Sequence, residues 1–291
     1  MDWTIVSPNR DQLAESPMWH EGEQALYWCD WYGPTVHRKR WGQDKVESWA
    51  IPNETVLGSF TFASGGRLLL AVDSGLALFD PRTDRTTPFA DPDGGREGMV
   101  YNDSKLDRFG RLWVGMFELT ETDPRGILYC VTPDGRATIG DAGFASCNGP
   151  AFSPDGRTLY FSDSVGRRIL AYDLSPDTRR LTNRRVFASF KLHEGLPDGL
   201  TVDAEGGVWC ALFGGSRVVR FTPDGTLHTS LPLPCPIVAA PAFGGPDMKT
   251  LFVATGWSHG VTRAEDEPHD GGAVFALETP FRGIPEPVFA L

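Results

Sequence analysis

One phrase recurs along the whole chain: an apolar pair or triplet, a turn built on Gly or Asp-Gly, then an alternating apolar strand. Its clearest copy is AFSPDGRTLYFSDSVGRRILAYDL, Ala151 to Leu174, whose alternation reads as three successive antiparallel strands. LTVDAEGGVWCALFGGSRVVRFTPDG, Leu200 to Gly225, repeats it closely, and looser copies begin at Ser16, Phe60, Lys105 and Ala242. One equivalent strand residue from each copy, Leu26, Leu69, Leu112, Leu159, Val208 and Leu251, returns every 43 to 49 residues. Four-stranded propeller blades recur at about this period, whereas a sandwich of short strands lacks a higher-order repeat of this length. The fold expected is therefore all-β, a six-bladed β-propeller, with residues 1–291 forming a single domain. Trp3 to Val6 and Pro287 to Leu291 are the spare strand-like segments from which the ring's closing outer strand is expected.

Composition agrees with this and narrows the partners. Hydrophobic residues at 41% and nine Trp supply a sizeable core, and 33 Gly with 23 Pro supply many turns. A formal net charge of -11 argues against nucleic acid or an anionic membrane as partner and favours a small molecule. No basic segment followed by an apolar stretch opens the chain, and no run of about 18 apolar residues occurs, so a cytoplasmic protein is expected, monomeric or weakly self-associating. The five cysteines, Cys29, Cys130, Cys147, Cys210 and Cys235, lack CxxC spacing and are expected to be buried free thiols.

In a propeller the innermost strand of each blade lines the central channel. Counting back from the six reference positions, the residues entering that strand are Glu15, Gly58 or Ser59, Asn102, Asn148, Asp198 and Ala240. Four of the six are carboxylate or amide. Asn148-Gly149 and Asp198-Gly199 also read as turn dipeptides, but the turns at Asp134, Asp155 and Asp224 lie between strands, whereas these precede the innermost one. Glycine at both places lets backbone approach a ligand closely. Two carboxylates near one axis repel unless a cation or a proton compensates. All-oxygen ligands suit a hard divalent ion, Ca²⁺ or Mg²⁺, with Mn²⁺, Zn²⁺ or Fe²⁺ as alternatives. The central channel is thus expected to bind one divalent metal. His20, His37, His193, His228, His259 and His269 show no metal-ligand spacing, and Asp73 and Asp163 read as turn residues.

AESPMW with Glu15, YNDSKLDRFGRLWVGMF with Asn102 and Asp103, CNGPAFSPDGRTLYFSDS with Asn148, and LPDGLTVDAEGGVWCALFGG with Asp198 resemble the regucalcin, gluconolactonase and sugar-lactonase family. The resemblance spans nearly the whole chain and is greatest to bacterial enzymes that open aldonolactones. It implies a metal held by Glu15, Asn148 and Asp198, with Asn102 contacting the substrate. The family commonly carries Arg two residues before the Asn matching Asn102; this chain has Val100, and Arg96 or Arg125 is the candidate substitute. The loop Phe117 to Gly126 resembles the family's lid over the substrate, where Glu118, and after it Glu121, is the acidic residue expected to assist.

The activity so implied is hydrolysis of an aldono-1,4- or 1,5-lactone to the aldonic acid. The ion acts as Lewis acid, and Asp198 acts as general base or as the group that orients the water. A carboxylate on a cation is a weak base, which keeps both roles for Asp198 open. Two other readings follow from the same residues. Trp31, Phe117, Phe213 and Trp257 with Val100 would suit a non-sugar lactone or ester such as an organophosphate. A non-catalytic calcium-binding propeller needs only the acidic axis.

Overall fold

The computed structural model describes residues 2–7, 9–257 and 270–291, and six four-stranded antiparallel sheets make up a six-bladed β-propeller. The innermost strands are Ala14–His20, Leu57–Ala63, Met99–Leu106, Cys147–Phe152, Leu196–Val202 and Ile237–Gly244. The second strands are Ala25–Asp30, Arg67–Val72, Leu112–Glu118, Thr158–Asp163, Val208–Phe213 and Thr250–Gly256, one per blade, and each holds one of the six reference residues. No α-helix occurs among the described residues.

Blades form because both faces of each sheet have a neighbour to pack on. Successive side chains of a strand point to opposite faces. In the second strand of the first blade Leu26 and Trp28 therefore join one apolar cluster, toward the sixth blade, while Ala25, Tyr27 and Cys29 join another, toward the second. Buried polar pins hold the turns between innermost and second strands. Asp203 accepts from the Trp209 indole nitrogen (2.8 Å) and Arg220 Nε (2.7 Å), and Asp107 accepts from Trp113 (2.9 Å) and Arg111 (2.6 Å). These explain the recurring Asp-to-Trp spacing in the two copies. Asp73 and Asp163 accept from backbone N–H groups of Thr55 and Gly166, as turn residues do, and all five cysteines are free and buried.

The ring is closed by Thr4–Ile5, which pairs with Val274–Glu278 as the outer strand of the sixth sheet. The other spare segment takes a different place. Phe289 makes an isolated parallel bridge to Ala63, is fully buried, and meets Phe89 edge-on at 5.6 Å. The same C-terminal stretch bonds Arg108 through the Pro285 carbonyl and pairs Glu286 with Lys105 at 3.2 Å, so it straps blades rather than completing one.

Candidate active site

Every innermost strand breaks register at the same place: between Glu15 and Met18, Leu57 and Ser59, Tyr101 and Ser104, Asn148 and Ala151, Pro197 and Leu200, and Val238 and Ala240. A β-bulge inserts one unpaired residue and re-aims its neighbours. Consecutive residues therefore serve different cavities. Glu15, Asn102, Asn148 and Asp198 line a cavity of about 130 Å³ at one mouth of the channel, while Ser16, Asp103, Gly149 and Gly199 line a smaller one deeper on the axis.

The glycines after Asn148 and Asp198 serve the neighbouring strand, not the mouth cavity. A Cβ at Gly149, which has φ +41°, would sit 2.5 Å from the Leu200 nitrogen, and one at Gly199 would sit 2.6 Å from the Ala240 side chain. Innermost strands crowd together at the axis, and only a hydrogen atom fits there. Gly58 is equally constrained, since a Cβ there would sit 2.3 Å from the Tyr101 carbonyl oxygen, and Ser59 Oγ donates to the Asn102 carbonyl at 2.6 Å. The second blade thus supports the third instead of facing the cavity.

A relay fixes the two amides. The Trp31 indole N–H, which can only donate, bonds Asn102 Oδ1 at 2.9 Å, and Asn102 Nδ2 donates to the Cys147 carbonyl at 3.0 Å and to Asn148 Oδ1. Ser164 Oγ donates to the Pro197 carbonyl at 2.6 Å and accepts from Asn148 Nδ2 at 2.8 Å. With both ends of the chain of bonds fixed, Asn148 can present only its oxygen on the Asn102 side.

Glu15 and Asp198 are both buried. Burial first, then repulsion by Asp198 and Asp103, raises the Glu15 carboxyl well above the usual carboxylate range. Burial, then Asp103 and Glu121, does the same to Asp198. Asp103 is pushed up to about 6 by burial, although the Gly149 N–H (2.6 Å) and Lys105 oppose the shift. Among the described residues no basic side chain lines the mouth cavity, and no three His, Cys, Asp or Glu side chains close into a metal cluster. What fits a cation is two crowded carboxylates and one oriented amide oxygen, a hard-oxygen set with a charge deficit that a divalent ion would cancel.

The remaining expected residues fall on both sides of the cavity wall. Trp31, Phe117 and Phe213 line it. Val100 does not: it is buried behind the wall in the apolar cluster that holds Trp31 and Phe117, paired across the sheet with Phe117. Glu118 also lies outside. Phe117 faces the cavity, so strand alternation turns Glu118 away, and its carboxylate accepts from the Thr120 hydroxyl. The acidic lining residue of that loop is Glu121, which accepts from Ser146 Oγ at 2.6 Å. Arg96 Nε is bonded to Asp93 at 2.7 Å and Arg125 pairs with Asp123 at 3.2 Å, and neither lines the cavity. Trp257 and the described histidines His20, His37, His193 and His228 are absent from the lining, and His259 and His269 lie outside the described residues. Sequence reasoning passed over Ser146 and Ser164, since a serine flanking a strand carries no signal of its own. Asp103 was visible only as a neighbour of Asn102.

A family model described as SMP-30/Gluconolactonase/LRE-like region matches residues 13–256. The chain is 32% identical to a 6-deoxy-6-sulfogluconolactonase of Pseudomonas putida, over 96% of this chain and 95% of that one. It is 31% identical to a pentonolactonase of Haloferax volcanii, over 98% and 97%. Among solved structures, a calcium-binding regucalcin from Agrobacterium tumefaciens superposes with a TM-score of 0.92 at 28% identity, covering 99% of this chain and 97% of that one. The phased ring of Glu15, Asn102, Asn148 and Asp198, the six blades and these matches agree: the chain belongs to the SMP-30/gluconolactonase/LRE-like family.

Proposed function

We propose that this protein is a divalent-metal-dependent lactonase that opens a sugar lactone to its aldonic acid, with Glu15, Asn148 and Asp198 holding the ion. The reading rests on one observation above the others: two buried, mutually repelling carboxylates and a fixed amide oxygen share the floor of a cavity, in a family with relatives named as lactonases. A bound divalent cation would supply Lewis-acid polarisation of the lactone carbonyl and stabilise charge on its oxygen. Asn102, pinned by Trp31, positions Asn148 and presents a fixed amide beside the substrate. Asp198 holds the attacking water or takes its proton. Water oxygen adds to the carbonyl carbon, the ring C–O bond breaks, and the proton ends on the departing alkoxide, so that lactone plus water gives the hydroxy acid. Trp31, Phe117 and Phe213 shield the reacting centre from bulk water.

The test is a lactone panel assayed with chelator-stripped protein, each of Ca²⁺, Mg²⁺, Mn²⁺, Zn²⁺ and Fe²⁺ then restored in turn. Activity should fall by about 100-fold or more on stripping and return with at least one ion. Full activity in protein shown by elemental analysis to be metal-free overturns the metal dependence, and no hydrolysis of any lactone overturns the reading.

A further inference from the structure

We infer that the mouth selects neutral lactones with an apolar flank, such as deoxy-sugar lactones, through the apolar collar and Glu121; this rests on the lactonase reading above. Beside the acids, the cavity is lined by the apolar side chains of Leu13, Trp31, Phe117, Leu119 and Phe213. Val100 adds apolar bulk behind this lining, buried in the same cluster as Trp31 and Phe117 and paired across the sheet with Phe117. A substrate hydroxyl pressed against such a wall loses its water and gains no partner, a penalty that a hydrogen or methyl at the same carbon escapes.

Glu121 adds an acidic group to the collar, beside the Tyr32 phenol and the Ser146 and Ser164 hydroxyls. Its carboxylate lines the cavity, accepts from Ser146, and therefore offers only acceptor capacity to a ligand. Its backbone is held left-handed at φ +55° by the turn bond from its own N–H to the Glu118 carbonyl (2.8 Å). For a residue other than glycine this conformation is costly, and the turn bond holds it. A single substrate hydroxyl donating to Glu121 is satisfied, whereas a sulfonate or carboxylate there meets a like charge. A divalent ion would offset Glu15 and Asp198, and Glu121 would still face the ligand.

The experiment compares three lactones of one ring size, a fully hydroxylated hexonolactone, its 6-deoxy counterpart and its 6-sulfonated counterpart, in the metal-loaded enzyme. The 6-deoxy compound should lead the hydroxylated one by about tenfold in kcat/KM, and the sulfonated one should trail by about 100-fold. Glu121→Gln should narrow the sulfonate gap by about tenfold. Calorimetric titration with the matching lactams reads the same order as Kd without any hydrolysis. Equal or better turnover of the hydroxylated or sulfonated lactone, or a sulfonate gap unchanged in Glu121→Gln, overturns the inference. If the lactam order holds while no lactone is cleaved, the pocket assignment stands and the lactonase reading fails.

Discussion

Asn102 Nδ2 donates to Asn148 Oδ1, tying the innermost strands of the third and fourth blades together at the channel mouth. That bond and the 2.9 Å bond from Trp31 mean that Asn102 orients a candidate metal ligand as well as facing the cavity. Asn102→Leu removes both donations without adding charge beside Asn148. The variant should lose about 2–3 kcal/mol of stability in denaturant unfolding and bind the divalent ion at least tenfold more weakly by calorimetry. Unchanged metal affinity would show that Asn148 does not depend on Asn102.

Glu15 and Asp198 repel each other in a buried site, so the ligand set is held at the expense of stability when no cation offsets it. Asp198→Asn and Glu15→Gln should each weaken divalent-ion binding by about 100-fold and abolish most activity, yet raise the melting temperature of chelator-treated protein by several degrees. A metal content equal to wild type in Asp198→Asn removes that residue from the ligand set. His193→Ala, in the 3-10 turn Leu192–Glu194 away from the cavity, should leave turnover within about twofold.

Asp103 makes stability depend on pH. Its ordinary value is 3.8 and the folded chain moves it to about 6, so the folded state keeps a proton that the unfolded state has released. The stabilisation is fully present below the unfolded value and is lost as pH rises through about 6. Glu15 and Asp198 are raised too and carry the loss further upward. The melting temperature of chelated protein should fall between pH 4 and pH 7, and Asp103→Asn should flatten the pH 4 to 6 part of the curve. A wild-type curve that rises over this range refutes the assignment.

Asp203 is fully buried between Trp209 and Arg220, whose side chain is 3% exposed. Asp203→Asn keeps the indole bond and leaves a buried guanidinium short of its partner, which should cost about 3 kcal/mol in urea unfolding. Asp134→Asn, in an exposed turn, should cost less than about 1 kcal/mol. Similar losses at both positions would mean that the Asp203 pin has no special weight.

The repeat and its phase were readable from the chain alone. Alternation is a local property of a strand, and a blade packed on both faces leaves the same pattern in each copy, so Leu26 through Leu251 marked six equivalent strands. The bulge at each strand entry recurs with that period, which is why counting back led to Glu15, Asn102, Asn148 and Asp198. Other features depended on contacts between segments far apart. Thr4–Ile5 and Phe289 were both plausible closures, and only the fit against Val274–Glu278 on one side and Ala63 on the other assigned them. Gly149 and Gly199 look like turn or ligand glycines until the next innermost strand stands against them. Glu118 and Glu121 are two glutamates three residues apart; strand alternation past Phe117 turns the first outward, and the left-handed turn with Ser146 brings the second in. Local periodicity sets which residues are equivalent, while the direction a loop side chain takes is settled by the tertiary partner that meets it.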